Sequence, residues 1–278
     1  MRHRLLPFNY GAMRSDCGCG VGRWAVVVRG VTAGVRPGGG FALRYLEDGE
    51  RGPAERRGPL SGCWNARFED VPPVREFPSY KGQRSFPGLY FAACTGRHVG
   101  FESWVERDNM MLLDFSPEVR AFSAQPFWLS WTAGSKVRNH APDLFARLAD
   151  GGGVVIDVRP DDRIEPEDAE AFEATAEACA SVGWGYRRVG VPDPVLAGNV
   201  RWLAGYRHPR CLREEHRAGL LEAFALPRPL LDGVLAVGDR IAVLPSLFHL
   251  MWAGTLSADL TSSLLDGGSL VSVAEGVR

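Results

Sequence analysis

Between residues 142 and 160 the chain reads Pro-Asp-Leu-Phe-Ala-Arg-Leu, then Ala-Asp-Gly-Gly-Gly, then Val-Val-Ile-Asp-Val-Arg, and stops at Pro160. Two β-type runs around an Asp-Gly turn predict a hairpin. Strand period two puts Asp157 and Arg159 on one face of the second strand and Val154, Ile156 and Val158 on the other, while Asp143, Phe145 and Arg147 share a face of the first. A turn near Gly151 places Asp143 opposite Arg159, about 5 Å between Cβ atoms, with Asp157 one pair further along. A slip of one residue would carry Asp143 to the opposite face. Asp157 interrupts an otherwise apolar strand, and a buried carboxylate must either be protonated or meet a cation. Two readings follow from the residues: a structural ion pair with Arg159 or another arginine, or a divalent metal bridging Asp143 and Asp157.

The flanking segments predict helices and strands that would cover such a hairpin. Phe101 to Phe115 has helical periodicity, ended by Ser116-Pro117, and sets Glu106 beside an apolar stripe. Phe127 to Thr132 alternates as a strand, with Pro126 at its start. Glu165 to Val182 predicts a helix with Pro166 in its first turn, Trp184 to Val189 a strand, and Pro194 to about Tyr206 another helix. The fold class expected is α/β, a mixed sheet flanked by helices.

The ends differ in texture. The first 60 residues are rich in Gly and Arg and carry ten basic against five acidic residues. Trp24–Val28 and Phe41–Leu46 read as two strands of a hairpin, and Leu60 to Pro87, with prolines at 72, 73, 78 and 87, as an irregular connector. Beyond Arg210, three short helices are expected, around Leu212–Phe224, Leu230–Val237 and Leu244–Trp252. A hairpin from Leu260 to Val273 follows, turning at Asp266-Gly267-Gly268. That order suggests a winged-helix-like unit, but six basic against eight acidic residues there favour a protein partner over duplex DNA.

With 45% hydrophobic residues and a formal net charge of -1, whole-chain disorder is excluded and bulk attraction to nucleic acid is not expected. Cys17-Gly18-Cys19 lacks the spacing of a zinc or thioredoxin-like pair, so the six cysteines read as free thiols in a reducing compartment. No run of eighteen apolar residues and no secretory pattern occurs, which predicts a soluble, cytoplasmic protein.

A helix glutamate, a PD pair and an acid-x-base element at the end of the next strand, in that order, resemble the PD-(D/E)xK nuclease superfamily. More narrowly, ESWVERDNMMLLDFSPEVRAFSAQPFWL, HAPDLFARL, VVIDVRP and NVRWLAGYR are similar to the TnsA family, the endonuclease subunit of heteromeric transposases. The likeness covers about residues 80 to 210. It implies three parts: a basic Gly/Arg-rich region over 1–79, a restriction-endonuclease-like domain over 80–209, and the winged-helix-like unit over 210–278.

The resemblance implies Mg²⁺, with Mn²⁺ as a substitute, held by Glu106, Asp143 and Asp157, and Arg159 standing where the family usually has lysine. It implies hydrolysis at the 5′ ends of a transposon, with double-stranded DNA, a DDE-type transposase and a regulatory ATPase as partners and no membrane. An arginine cannot give up its proton, so Arg159 would orient water and clamp phosphate while metal-bound hydroxide or another base acts. Lys81, Arg84, Lys136, Arg138 and His140 are expected in loops leading to the site, as phosphate contacts. His98 and His140 are weighed as metal ligands and as ordinary hydrogen-bonding side chains. The competing reading is an inactive TnsA-like subunit that binds DNA or the partner transposase.

Overall fold

A computed structural model describes residues 40–49, 52–77 and 86–275. The first sheet is formed by β1 (Ala42–Gly49) and β2 (Gly52–Pro59), joined by two later strands. A one-turn helix α1 (Leu60–Cys63) leads to a short 3-10 turn at Phe68–Asp70. A two-stranded ribbon, β3 (Gly88–Ala92) and β4 (Arg97–Phe101), precedes α2 (Trp104–Phe115). Then come β5 (Val119–Ala124), β6 (Trp128–Ala133), β7 (Lys136–His140), β8 (Leu144–Leu148) and β9 (Gly153–Val158). The elements α3 (Pro166–Ser181), β10 (Gly185–Val189) and α4 (Pro194–Ala204) complete the middle of the chain.

The central sheet has the order β10-β9-β8-β5. It is mixed: β9 runs parallel to β10 through the α3 crossover and antiparallel to β8, which is antiparallel to β5. Gly151, at φ +90°, supplies the left-handed residue that the turn between β8 and β9 needs. Gly153 has a different reason to lack a side chain, because a Cβ there would lie 2.8 Å from the Phe145 ring and 3.0 Å from Trp184.

Strand alternation sends the hairpin's residues to two apolar clusters. Leu144, Ala146, Val154 and Ile156 pack with Met110 and Leu113 of α2 and Val200 and Leu203 of α4. Phe145 and Val155 face Phe68, Trp184, Ala178 and Cys179 together with Leu43 and Leu129 of the first sheet. That first sheet has the order β2-β1-β6-β7 and is antiparallel throughout. Phe68 sits at its junction with the central sheet, its ring against Tyr45, Phe127, Phe145 and Trp184 at 5.0 to 5.6 Å between centroids.

Several expectations change. Trp24–Val28 lies outside the described residues, as do Cys17, Cys19, Lys81 and Arg84. The described partner of this segment is Gly52–Pro59, which pairs antiparallel with Ala42–Gly49. The connector is irregular only in part: Leu60 and Phe68 are buried, so apolar anchoring outweighs the prolines there. Lys136, Arg138 and His140 lie on a strand, β7, and not in a loop.

After a short turn at Pro209–Cys211, the C-terminal part runs α5 (Glu214–Ala223), β11 (Arg228–Pro229), α6 (Leu230–Val237), α7 (Arg240–Trp252), β12 (Leu256–Ala258) and β13 (Leu270–Val273). The terminal hairpin thus begins at Leu256, ahead of the expected Leu260, and β13 also pairs with β11 to give the order β11-β13-β12. Helix α7 starts at Arg240, earlier than its apolar pattern suggested, because Asp239 caps it by accepting from the N–H groups of Ile241 and Ala242. Its core is continuous with that of α2 and α4. Asn199 ties them, donating to the carbonyls of Leu260 and Ser263 and accepting from the Leu265 N–H. No single helix among the described residues is long and apolar enough to cross a membrane.

Candidate functional site

The open end of the β8–β9 hairpin gathers the acids. The ladder's last pair is Leu144 with Ile156, and the same register carried one step outward sets Asp143 level with Asp157, and not with Arg159 as the turn arithmetic predicted. The difference is two residues, so the face is kept; the Leu148 N–H donates to the Gly152 carbonyl, centring the turn on Asp150. Beyond Leu144 the ladder opens. There Asp143 Oδ2 accepts from the Val158 N–H at 2.7 Å, and the Asp143 carbonyl accepts from the Gln125 N–H at 2.8 Å.

Burial pushes the Asp143 carboxyl well above the ordinary range. The neighbouring carboxylates of Asp157 and Glu106 add to this, while the Val158 N–H and Arg75 oppose it. Glu106 is raised too, first by burial and also by Glu102, against the pull of the Glu102 N–H, the Ser103 hydroxyl and Arg75. Its carboxylate caps its own helix: Oε2 accepts from the Glu102 N–H and Oε1 from the Ser103 hydroxyl, both at 2.8 Å, while Ser103 accepts from the Glu106 N–H.

Asp157, 1% exposed, is held by two side chains. His140 Nε2 lies 2.8 Å from Oδ1, and the Tyr186 hydroxyl donates to Oδ2 at 2.8 Å. Arg159 points elsewhere, giving Nε and Nη2 to both oxygens of Asp168 at 2.7 to 3.0 Å, so the ion pair available to it lies with α3 and not with Asp157. Asp168 also accepts from the Glu165 N–H as part of the α3 cap and is held below its usual value by these partners, burial notwithstanding. Arg138 approaches Glu170 at 3.8 Å, and Lys136 is exposed.

Sequence reasoning missed three residues at this corner. Gln125 follows β5 at φ +47°, the only non-glycine residue among those described with a positive φ. Its amide donates to Glu102 Oε1 at 3.1 Å, and its own Oε1 is buried without a partner. Arg75 Nη2 donates to the other oxygen of Glu102 at 3.1 Å. No sequence signal marks Arg75, which sits in the proline-rich stretch; Ser103-x-x-Glu106, by contrast, is a legible capping pattern.

The donors here are oxygens, the type that suits Mg²⁺. A buried carbonyl oxygen at Gln125 with no partner among the described residues and a carboxyl at Asp143 driven toward protonation are both compatible with binding a cation. No group of three or more His, Cys, Asp or Glu among the described residues is arranged to hold a metal ion by itself. Mg²⁺ commonly completes its octahedron with waters and substrate phosphate around one or two carboxylates, so a full protein cage is not required. No protein-family model matches the chain, and no curated protein matches it in sequence.

Proposed function

We propose that the chain is a metal-dependent DNA endonuclease of the PD-(D/E)xK type, similar to TnsA, hydrolysing phosphodiester bonds at transposon 5′ ends beside a DDE-type transposase. The observation that carries this reading is the placement of Asp143 at the open hairpin end, buried, next to Asp157 and within the field of Glu106. Asp143, with Glu106 and Asp157, would hold Mg²⁺; each carboxylate oxygen has two acceptor sites, so one hydrogen bond leaves room for a ligand bond. Mg²⁺ supplies a Lewis acid and a more acidic water when bound. His140 and Tyr186 fix the Asp157 carboxylate, and Gln125 fixes Glu102, so the acids are positioned before substrate arrives.

A mixed sheet with helices packed on it supports a restriction-endonuclease-like reading of the middle region. The order helix, strand, two helices, two strands from α5 to β13 supports the winged-helix-like reading. Its acidic balance favours contact with a partner subunit.

Nicking of a transposon-end duplex in Mg²⁺ or Mn²⁺, with and without the adjacent transposase, tests the proposal. The Asp143→Ala variant is expected to lose cleavage while keeping its fold and most DNA affinity. A chain that never cuts, or cuts equally well with Asp143 replaced, would favour the inactive DNA-binding or assembly subunit. One observation supports that second reading: Arg159, in the family's lysine position, is engaged by Asp168.

A further inference from the structure

The guanidinium at the acidic corner does not come from the strand that carries the acids. Four segments are pinned together there by short polar contacts. The Val74 N–H donates to the Gln125 carbonyl at 2.9 Å, and the Gln125 N–H donates to the Asp143 carbonyl at 2.8 Å. Glu102, between β4 and α2, receives Gln125 on one oxygen and Arg75 on the other, both at 3.1 Å. The left-handed backbone at Gln125 lies at the centre of this knot, the kind of strain that persists where surrounding contacts hold it.

Arg75 is therefore fixed in place, and among the described residues only one of its nitrogens is engaged. Its side chain is 37% exposed, and Nη2 makes its one ion pair among the described residues. Among the described residues its remaining nitrogens meet no acceptor, and a guanidinium offers five N–H donors suited to the oxygens of a phosphate. Its charge already acts on both Asp143 and Glu106, opposing the rise of each. Arg159 has the opposite disposition, with three short contacts to Asp168.

We propose that Arg75, held by Glu102 and by the Val74–Gln125 backbone contact beside it, is the guanidinium that contacts the substrate phosphate at this corner, while Arg159 serves to fasten β9 to α3. This rests on reading the corner as a phosphodiester site and adds to it a residue from a segment outside the expected nuclease domain. An exposed cation that only neutralised Glu102 would need no such anchoring of its own backbone neighbour on the sheet.

The test compares the full chain with Arg75→Gln, Arg75→Lys and Arg159→Gln variants, measuring duplex DNA binding in Ca²⁺ across a salt series alongside urea midpoints. Arg75→Gln is expected to weaken binding about tenfold and to lower the slope of log affinity against log salt by about one. Arg75→Lys should recover much of the slope, and Arg159→Gln should keep affinity within about twofold while lowering the urea midpoint. A lower midpoint for Arg75→Gln with affinity and slope unchanged would overturn the proposal in favour of a purely structural pair, as would an Arg159→Gln variant that alone loses affinity. Cleavage by the wild-type chain in Mg²⁺ separates this from the nuclease reading. Arg75-dependent binding without cutting keeps the phosphate contact and removes the endonuclease, whereas cutting with Arg75-independent binding does the reverse. A wild-type chain that binds no duplex overturns both.

Discussion

Replacing Tyr186 by Phe removes one hydroxyl and nothing else from the wall around Asp157. Burial, then the adjacent Asp157 charge, pushes the phenol far above its ordinary value, so it donates at any working pH. The acceptor Oδ2 is 2.8 Å away on a side chain 2% exposed, where water cannot readily substitute. A hydrogen bond to a charged acceptor contributes about 1.5–3 kcal/mol, against about 0.5–1.5 kcal/mol for a neutral one. Tyr186→Phe is thus expected to cost about 2 kcal/mol in the wild-type background. In an Asp157→Asn background, where the amide oxygen is a neutral acceptor of the same shape, it should cost about 1 kcal/mol. Urea unfolding of the four proteins of this cycle at neutral pH gives both numbers and their difference. Equal losses in the two backgrounds would refute a charged Asp157, and no loss in either would refute the bond itself.

Asp143 predicts a pH effect of definite sign. Its folded value lies above the ordinary 3.8, so the native state keeps a proton over a range in which the unfolded chain has released it. Stability is therefore expected to fall as pH rises from about 4 through the folded value, and Asp143→Asn should flatten that limb and gain on wild type as pH increases. Urea midpoints from pH 4 to 8 check this, and parallel profiles would count against it. Phe68→Ala removes a fully buried ring with four aromatic neighbours and is expected to cost about 3–5 kcal/mol by chemical denaturation. A loss under about 1.5 kcal/mol would mean that the segment before β3 is not anchored as described.

The sequence made the central hairpin legible because glycines and β-branched runs act locally, the helices α2, α4 and α6 because their periodicity is strong, and α3 through Pro166 in its first turn and Gly183 beyond its end. The register was less accessible. Counting from Gly151 placed Asp143 opposite Arg159, whereas the turn centres on Asp150 and brings the two aspartates together. The direction of Arg159 was not legible at all, since Asp168 competes for it from the next helix. His140 could be noted as a candidate, but only the third dimension shows that β7 carries it to Asp157. Arg75, Glu102 and Gln125 meet through contacts 23 to 27 residues apart in sequence, and no period or motif encodes such an encounter.

Strands β8 and β9 are a wall shared by two apolar interiors, since alternate residues of the same hairpin belong to each. Opening either interior exposes one side of that wall and removes the support that keeps the other side dry. The two interiors are therefore coupled into a single cooperative unit, in which the backbone amides of the hairpin exchange with solvent only through the largest openings of the protein. Asp143 and Asp157 thus stand at the end of an element buried on both sides, while Arg75 arrives on a segment held by the Val74–Gln125 and Arg75–Glu102 contacts.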